Sequence, residues 1–482
     1  MSKQKEENIF FLGIVLSNIL FFINAFKMYF FKDDFFFIKI SKINNIQGFI
    51  HFFSPLRTYS YKPLASEVFY FLVNGNPLLG HCVVFVTYFI GLYFLYKSVH
   101  LLTKNTLLSR LTIFTYSISS VHVFQLYWLA TYQEILVFAA LSFSFYYYLQ
   151  KKYTLSIISY ICALLSKETA ILYVLFLLLF EIIKSRKIYG KQLLRNLSAY
   201  ILVSVLFYII YQYSLAHVTA LDNYTMTLNP KRLINNALWY FLWGWGVPSY
   251  LSDYMTSIFS KPIPEFWNII DQPFFKEYIY SLTTYLFVFF SSLVLFITMH
   301  LNKLKKIGWF LLLNVVGFFI FLGPMLLFPH RWMVRLTVPL IFITLFQSVI
   351  WFYYLQSNTF FKGVFVVLIS LYTITCFFGI KVNENTSTYL LESSISKQAT
   401  KVFGNITRFE NCTTIYIKNP KVMKMGSWDG SEKVALTLFG DSFLNHYFPN
   451  RRDMKVAYEF QMQQIPQNSC IIDSSELIQN SN

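Results

Sequence analysis

Charge is what this 482-residue sequence has least of. Only 13% of its residues are Asp, Glu, Lys or Arg, against about 25% in a soluble domain, which excludes an ordinary cytosolic enzyme. A disordered chain is excluded too, because 56% of residues are hydrophobic and 20% aromatic. Also missing are HExxH, CxxC, a glycine-rich phosphate loop and GxSxG, which argues against nucleotide hydrolysis and a serine nucleophile. His51, His122, His217 and His446 show no spacing that makes a metal site. Acids are scarcer than bases, 23 against 40, for a net charge of +17. The bases come in short clusters between apolar runs, so nucleic acid is not an expected partner. The composition reads as an integral membrane protein, and its few carboxylates, expensive in such surroundings, are where chemistry is expected.

A span needs about 20 apolar residues, and eleven candidates are read at about 9–26, 78–96, 108–124, 134–149, 154–166, 169–183, 197–215, 276–299, 307–328, 336–356 and 361–380. The segment 236–258, with Trp243-Gly244-Trp245-Gly246 and Pro248, is apolar but broken and reads as interfacial or re-entrant. With the N-terminus inside, the cytoplasmic loops hold 16 Lys/Arg in 50 residues and the opposite loops 13 in 129. That bias is the one a correct topology requires. Counting 236–258 as a span would move Lys303, Lys305 and Lys306 outside. The expected fold is therefore an all-α polytopic membrane protein with a small C-terminal extracytoplasmic α/β domain. Its transmembrane region is 1–380, with a first outer loop 27–75 and a large outer loop 216–275, and its soluble domain is 381–482. Strand-like runs in that domain are Cys412–Ile417, Val434–Phe439 and Cys470–Asp473. Cys412 and Cys470 each open a run, so adjacent strands would let them pair, and two unpaired thiols are the alternative. Cys82, Cys162 and Cys376 lie in spans and read as packing residues.

Of the 13 acids before residue 381, ten fall on the outer side: Asp33, Asp34, Glu67, Glu134, Glu168, Asp222, Asp253, Glu265, Asp271 and Glu277. Asp33-Asp34 is the sharpest feature, flanked by Phe30, Phe31 and Phe35–Phe37. Adjacent carboxylates in poorly solvated surroundings repel, which raises the proton affinity of one, and such a group can serve as general base. Neighbours on a helix point about 100° apart, so one Asp is expected to act while the other anchors the loop. The plain alternative is a solvated pair at the membrane boundary. Glu168 follows Ser166-Lys167 at a turn, where a salt-bridged hairpin is the simpler reading. Arg331 and Arg335, beside His330, are four apart and expected to share a helix face. Two guanidinium forks suit a phosphate, although arginines reaching lipid headgroups would look the same.

Three blocks carry a resemblance. The first is Lys32-Asp33-Asp34-Phe35 followed by Tyr61-Lys62-Pro63-Leu64, Asn76-Pro77 and His81. The second runs from His122 to Trp128-Leu129-Ala130-Thr131-Tyr132-Gln133-Glu134-Ile135, and the third is Leu164-Leu165-Ser166-Lys167-Glu168-Thr169-Ala170. In order and spacing they resemble the GT-C superfamily of polytopic glycosyltransferases, nearest the protein O-mannosyltransferase-like branch that uses polyprenyl-phosphate sugars. Lys62 stands where that family has Arg, Val123 where it has Pro, and Tyr132 where Arg is common. The likeness covers about residues 10–185, and none is assigned for 381–482.

The resemblance implies a sugar donor on a polyprenyl phosphate at the outer membrane face. Lys62, Lys167, His330, Arg331 and Arg335 would stabilise the leaving phosphate, with His81, Glu134 and Glu168 completing the substrate-binding set. Asp33 or Asp34 would deprotonate an acceptor hydroxyl for inverting attack. A divalent metal bridging carboxylate and phosphate is compatible with this, its ligands being Asp33, Asp34 and Glu134. The acceptor is a surface glycan such as O-antigen, a lipid sugar or a protein, and the lean is to a glycan, as in the serotype-converting O-antigen glucosyltransferases. The cell inner membrane is the expected location. A polysaccharide polymerase is the first competitor, but only Lys231, Arg232, Lys261 and Lys276 lie in or at the edge of the large outer loop, where polymerases rely on many arginines. A flippase or transporter is the second, but it would show paired broken helices in two repeats, and one broken segment is present.

Overall fold

The computed structural model describes residues 3–43, 45–57, 59–185, 190–218, 226–255, 257, 260–270, 274–306, 308–420, 430–451, 453–462 and 464–478. Asp222 and Asp271 lie outside the described residues. The chain is mostly helical, and its long elements are α1 (Lys3–Phe21), α2 (Asp33–Ile40), α3 (Pro77–Thr103), α4 (Thr106–Ser117), α5 (Tyr132–Leu149), α6 (Tyr153–Leu164), α7 (Tyr173–Ser185), α8 (Gly190–Leu215), α9 (Pro230–Gly244), α10 (Phe275–Lys306), α11 (Gly308–Leu326), α12 (Leu340–Leu355), α13 (Thr359–Thr386) and α14 (Tyr389–Gly404). Beyond α14 come β1 (Thr414–Lys418), α15 (Ser431–Leu438), β2 (Lys455–Tyr458) and β3 (Ser469–Asp473).

Six described helices are long and apolar enough to cross a membrane: Pro77–Thr103, Leu129–Leu149, Arg195–Leu215, Phe275–His300, Gly308–Leu326 and Thr359–Thr386. The other five expected spans fall on elements of a different kind. α1 has 19 residues, but Lys3, Lys5, Glu6 and Glu7 crowd its start. α4, α6, α7 and α12 have 12, 12, 13 and 16 residues, which at 1.5 Å per residue reach about 18–24 Å. That falls short of the ~30 Å hydrocarbon core.

Asn76 caps α3 by accepting from the Leu79 N–H at 3.1 Å, with Pro77 in the first turn. α3 then packs along α5, where a Cβ on Gly91 would collide with the Phe138 ring. The broken character read for 236–258 is present: α9 ends at Gly244, and Gly246 takes φ +100°, a left-handed conformation suited to glycine.

β1, β2 and β3 form a parallel sheet in the order β2-β1-β3, with Ile415 opposite both Val456 and Cys470. Cys412 and Cys470 are joined by a disulfide. The run expected as a strand at Val434–Phe439 is instead helical. Ser431, Val434, Ala435 and Leu438 are buried along one face, a spacing of 3.6 that a short apolar run does not announce, and Lys433 and Thr437 are buried beside them. This C-terminal unit packs directly on the stretch after α1. The Lys32 N–H donates to the Thr437 carbonyl at 2.6 Å, the Tyr29 N–H donates to Ser393 Oγ at 2.7 Å, and His446 sits among the rings of Tyr29, Phe30 and Phe35.

Candidate functional site

Asp33 and Asp34 open α2 at the end of the bundle where α1 and α13 finish and α3 and α5 begin. Their surroundings separate them. Asp34 is fully buried: Oδ2 accepts the Phe31 N–H at 2.9 Å and Oδ1 accepts the Tyr70 hydroxyl. Burial pushes its carboxyl up to about 8, against the pull of those two hydrogen bonds, and the Asp33 charge adds a smaller push. Desolvation rather than carboxylate repulsion is therefore the main reason Asp34 holds a proton. Asp33, one position earlier, is half-buried, and its carboxylate makes no hydrogen bond among the described residues. Burial raises its carboxyl as well, opposed by the charges of Lys62 and Lys32.

Lys62 is set just before a π-helical turn at Leu64–Val68, donates to Gln133 Oε1 at 2.9 Å and lies 5.7 Å from the centre of the Phe37 ring. Burial lowers the proton affinity of its ammonium, which Glu168, Asp33 and Glu134 restore in part and Lys167 opposes. Lys167 itself is ion-paired with Glu134, both nearly buried. Glu134, Lys167 and Arg335 line one cleft, together with Thr169, Phe321 and Val338. Phe321 and Val338 are shared with a second, almost wholly apolar cleft that continues down the bundle to Leu95, Phe310 and Phe342. A cationic end thus leads into a greasy groove.

Lys62 faces Asp33, Glu134, Lys167 and Glu168, and Glu134 and Lys167 in turn share their cleft with Arg335, while Asp33, Lys62 and Glu168 line neither cleft. Arg331 and Arg335 do not share a helix face as expected. Trp332 is extended (φ −151°) and only Met333–Leu336 is helical, as a single 3₁₀ turn. Arg335 therefore lines the cleft and donates to the His330 carbonyl at 2.8 Å, while Arg331 lies 5.7 Å from the centre of the Trp239 ring and faces Asp253. His330 is exposed. His81 is fully buried inside α3, its Nδ1 3.1 Å from the Leu126 carbonyl, and lines neither cleft.

Two of the three carboxylates expected as metal ligands are already engaged within the protein. Asp34 is committed to Phe31 and Tyr70, Glu134 to Lys167, and no group of three His, Cys, Asp or Glu side chains converges among the described residues. Two clusters had no signal in the sequence. One is a buried ion pair, Arg57 Nη1 to Glu67 Oε1 at 2.5 Å, with Tyr59 donating to the same oxygen at 2.7 Å. The other is Glu392, held between Lys32 at 2.9 Å and Lys433 at 2.8 Å.

No protein-family model matches this chain, and no curated protein matches it.

Proposed function

We propose that the protein is a glycosyltransferase of the GT-C kind. It would move a sugar from a polyprenyl phosphate to an acceptor hydroxyl, a surface glycan being favoured, at the outer face of the cell inner membrane. The observation that carries this reading is the joined pair of clefts: Arg335 and Lys167 at the mouth, and the groove of Leu95, Phe310 and Phe342 behind. An anionic headgroup followed by an apolar tail matches that order of charged and apolar lining. Asp33 would be the general base, because its half-buried carboxylate makes no hydrogen bond among the described residues and lies beside the cations of Lys62 and Lys32. It would take the proton of the acceptor hydroxyl as that oxygen attacks the anomeric carbon. The sugar–phosphate bond breaks on the opposite face, and the charge that grows on the leaving phosphate meets Arg335 and Lys167. Asp34, already holding a proton, would anchor the turn.

In this reading the chain crosses the membrane eleven times, its short helices extended by the flanking 3₁₀ turns packed within the bundle, with the N-terminus inside and the C-terminal unit outside. Lys and Arg density supports that orientation. The test replaces Asp33 with Asn and follows transfer from undecaprenyl-phosphate-linked [14C]glucose, mannose and galactose in membranes holding the full chain. A loss of about 10²-fold or more is expected. Undiminished transfer at equal expression would remove Asp33 from the chemistry.

A further inference from the structure

The residue before Asp33 is held by the C-terminal unit at its backbone N–H and at its ammonium. Lys32 has φ 53° and ψ −128°, a backbone conformation that a non-glycine residue adopts only when its surroundings impose it. Its N–H is fixed by the Thr437 carbonyl at 2.6 Å, and its ammonium by Glu392 Oε2 at 2.9 Å. Glu392 is itself almost fully buried and is balanced on its other oxygen by the buried Lys433 at 2.8 Å. The Lys32 ammonium also lies 5.8 Å and 6.0 Å from the ring centres of Trp128 and Tyr389. A buried carboxylate between two ammonium groups, about 360 residues along the chain from one of them, is costly to desolvate. What it accomplishes here is to fix a cation next to a carboxyl that lacks a hydrogen bond.

We infer that Glu392, backed by Lys433, is a positioning residue for Asp33. By holding Lys32 in place it sets the charge that the acceptor's base feels, which makes the C-terminal unit a working wall of the site rather than an appendage. This rests on Asp33 being the base proposed above. The charged and titratable groups facing Asp33 are Lys32 before it, Asp34 after it, Lys62 and Tyr70 from the segment between α2 and α3, and Tyr389 from α14. Those facing Glu392 are Lys32, Lys433 and Tyr389.

The sign of each substitution follows. Removing the Glu392 charge leaves the Lys32 cation less neutralised and free to approach Asp33, so the carboxyl ionises at lower pH. Removing the Lys32 or Lys433 charge does the opposite. The experiment measures the acid limb of kcat/KM for transfer from the undecaprenyl-phosphate sugar that supports turnover, in membranes with the full chain. Glu392→Gln is expected to move the limb down by about half a pH unit or more and Lys32→Gln to move it up by a similar amount. If Glu392→Gln fails to accumulate, Lys433→Gln is read instead, with an upward shift expected. Limbs that stay in place, or a Glu392→Gln limb that moves up with the lysine variants, or a Lys433→Gln limb that moves down, overturn the inference and leave a merely structural contact. Asp33→Asn separates the two readings: a dead variant with unmoved limbs elsewhere rejects the positioning role alone, and an active one rejects the base itself.

Discussion

The Tyr70 hydroxyl donates to the Asp34 carboxyl, while the carboxylate of Asp33, its neighbour in the same helical turn, makes no hydrogen bond among the described residues. Two adjacent acids are thereby given different work. Asp34 is sealed, keeps its proton to about pH 8 and closes the turn onto Phe31. In the unfolded chain the same carboxyl releases its proton near 4. Between those values the folded state binds the extra proton, so stability from this group is full at low pH and is lost as pH rises towards 8. The apparent melting temperature of the purified chain in detergent should therefore fall from pH 5 to pH 8. Asp34→Asn, which imitates the protonated acid, should flatten that slope. A slope unchanged in the variant would assign the titration to another group.

Much of this neighbourhood was legible in the sequence because its pieces sit at helix ends with local signatures. Asn76-Pro77 announces the start of α3, and Ser166-Lys167-Glu168 the turn after α6. Pairing Glu134 with Lys167 needed the fold, since 33 residues separate them. Nothing local points from Lys32 to Glu392 or from Tyr127 to Glu384, contacts spanning about 360 and 257 residues. The length of spans was the other blind spot. Apolar runs such as 108–124 look continuous, but the helix stops at Ser117 and gives way to a 3₁₀ turn at Ser120–His122. The same kind of break separates Arg331 from Arg335, because a spacing of four implies a shared face only where the backbone is α-helical and Trp332 between them is extended.

That distinction between the two arginines is measurable. Arg335 lines the cleft with Glu134 and Lys167, whereas Arg331 lies over the Trp239 ring. A charge-assisted contact to phosphate contributes about 1.5–3 kcal/mol. Arg335→Ala should thus weaken binding of undecaprenyl phosphate by roughly tenfold or more, read by quenching of tryptophan fluorescence in detergent. Arg331→Ala should have the smaller effect. The reverse ranking would move the phosphate to the Trp239 side and away from the cleft.

The Cys412–Cys470 disulfide ties two residues 58 apart in the unit that carries Glu392, Thr437 and Lys433. Disulfides persist in oxidising compartments and not in the reducing cytosol, so this bond reports the side on which residues 381–482 lie. Closing a loop of that length is worth about 4 kcal/mol in the chain-entropy account. Denaturing the chain from membranes trapped with acid and labelling it with maleimide should therefore count three thiols, Cys82, Cys162 and Cys376, before reduction and five after. Five before reduction would put the unit on the cytosolic side and with it the whole proposed site. Cys412→Ser should lower the stability of the C-terminal unit and, because Lys32 is fixed by that unit at both its N–H and its ammonium, lower transfer along with it. A variant that loses the disulfide, keeps the fold and keeps full transfer would show that the grip of Glu392 on Lys32 survives without it.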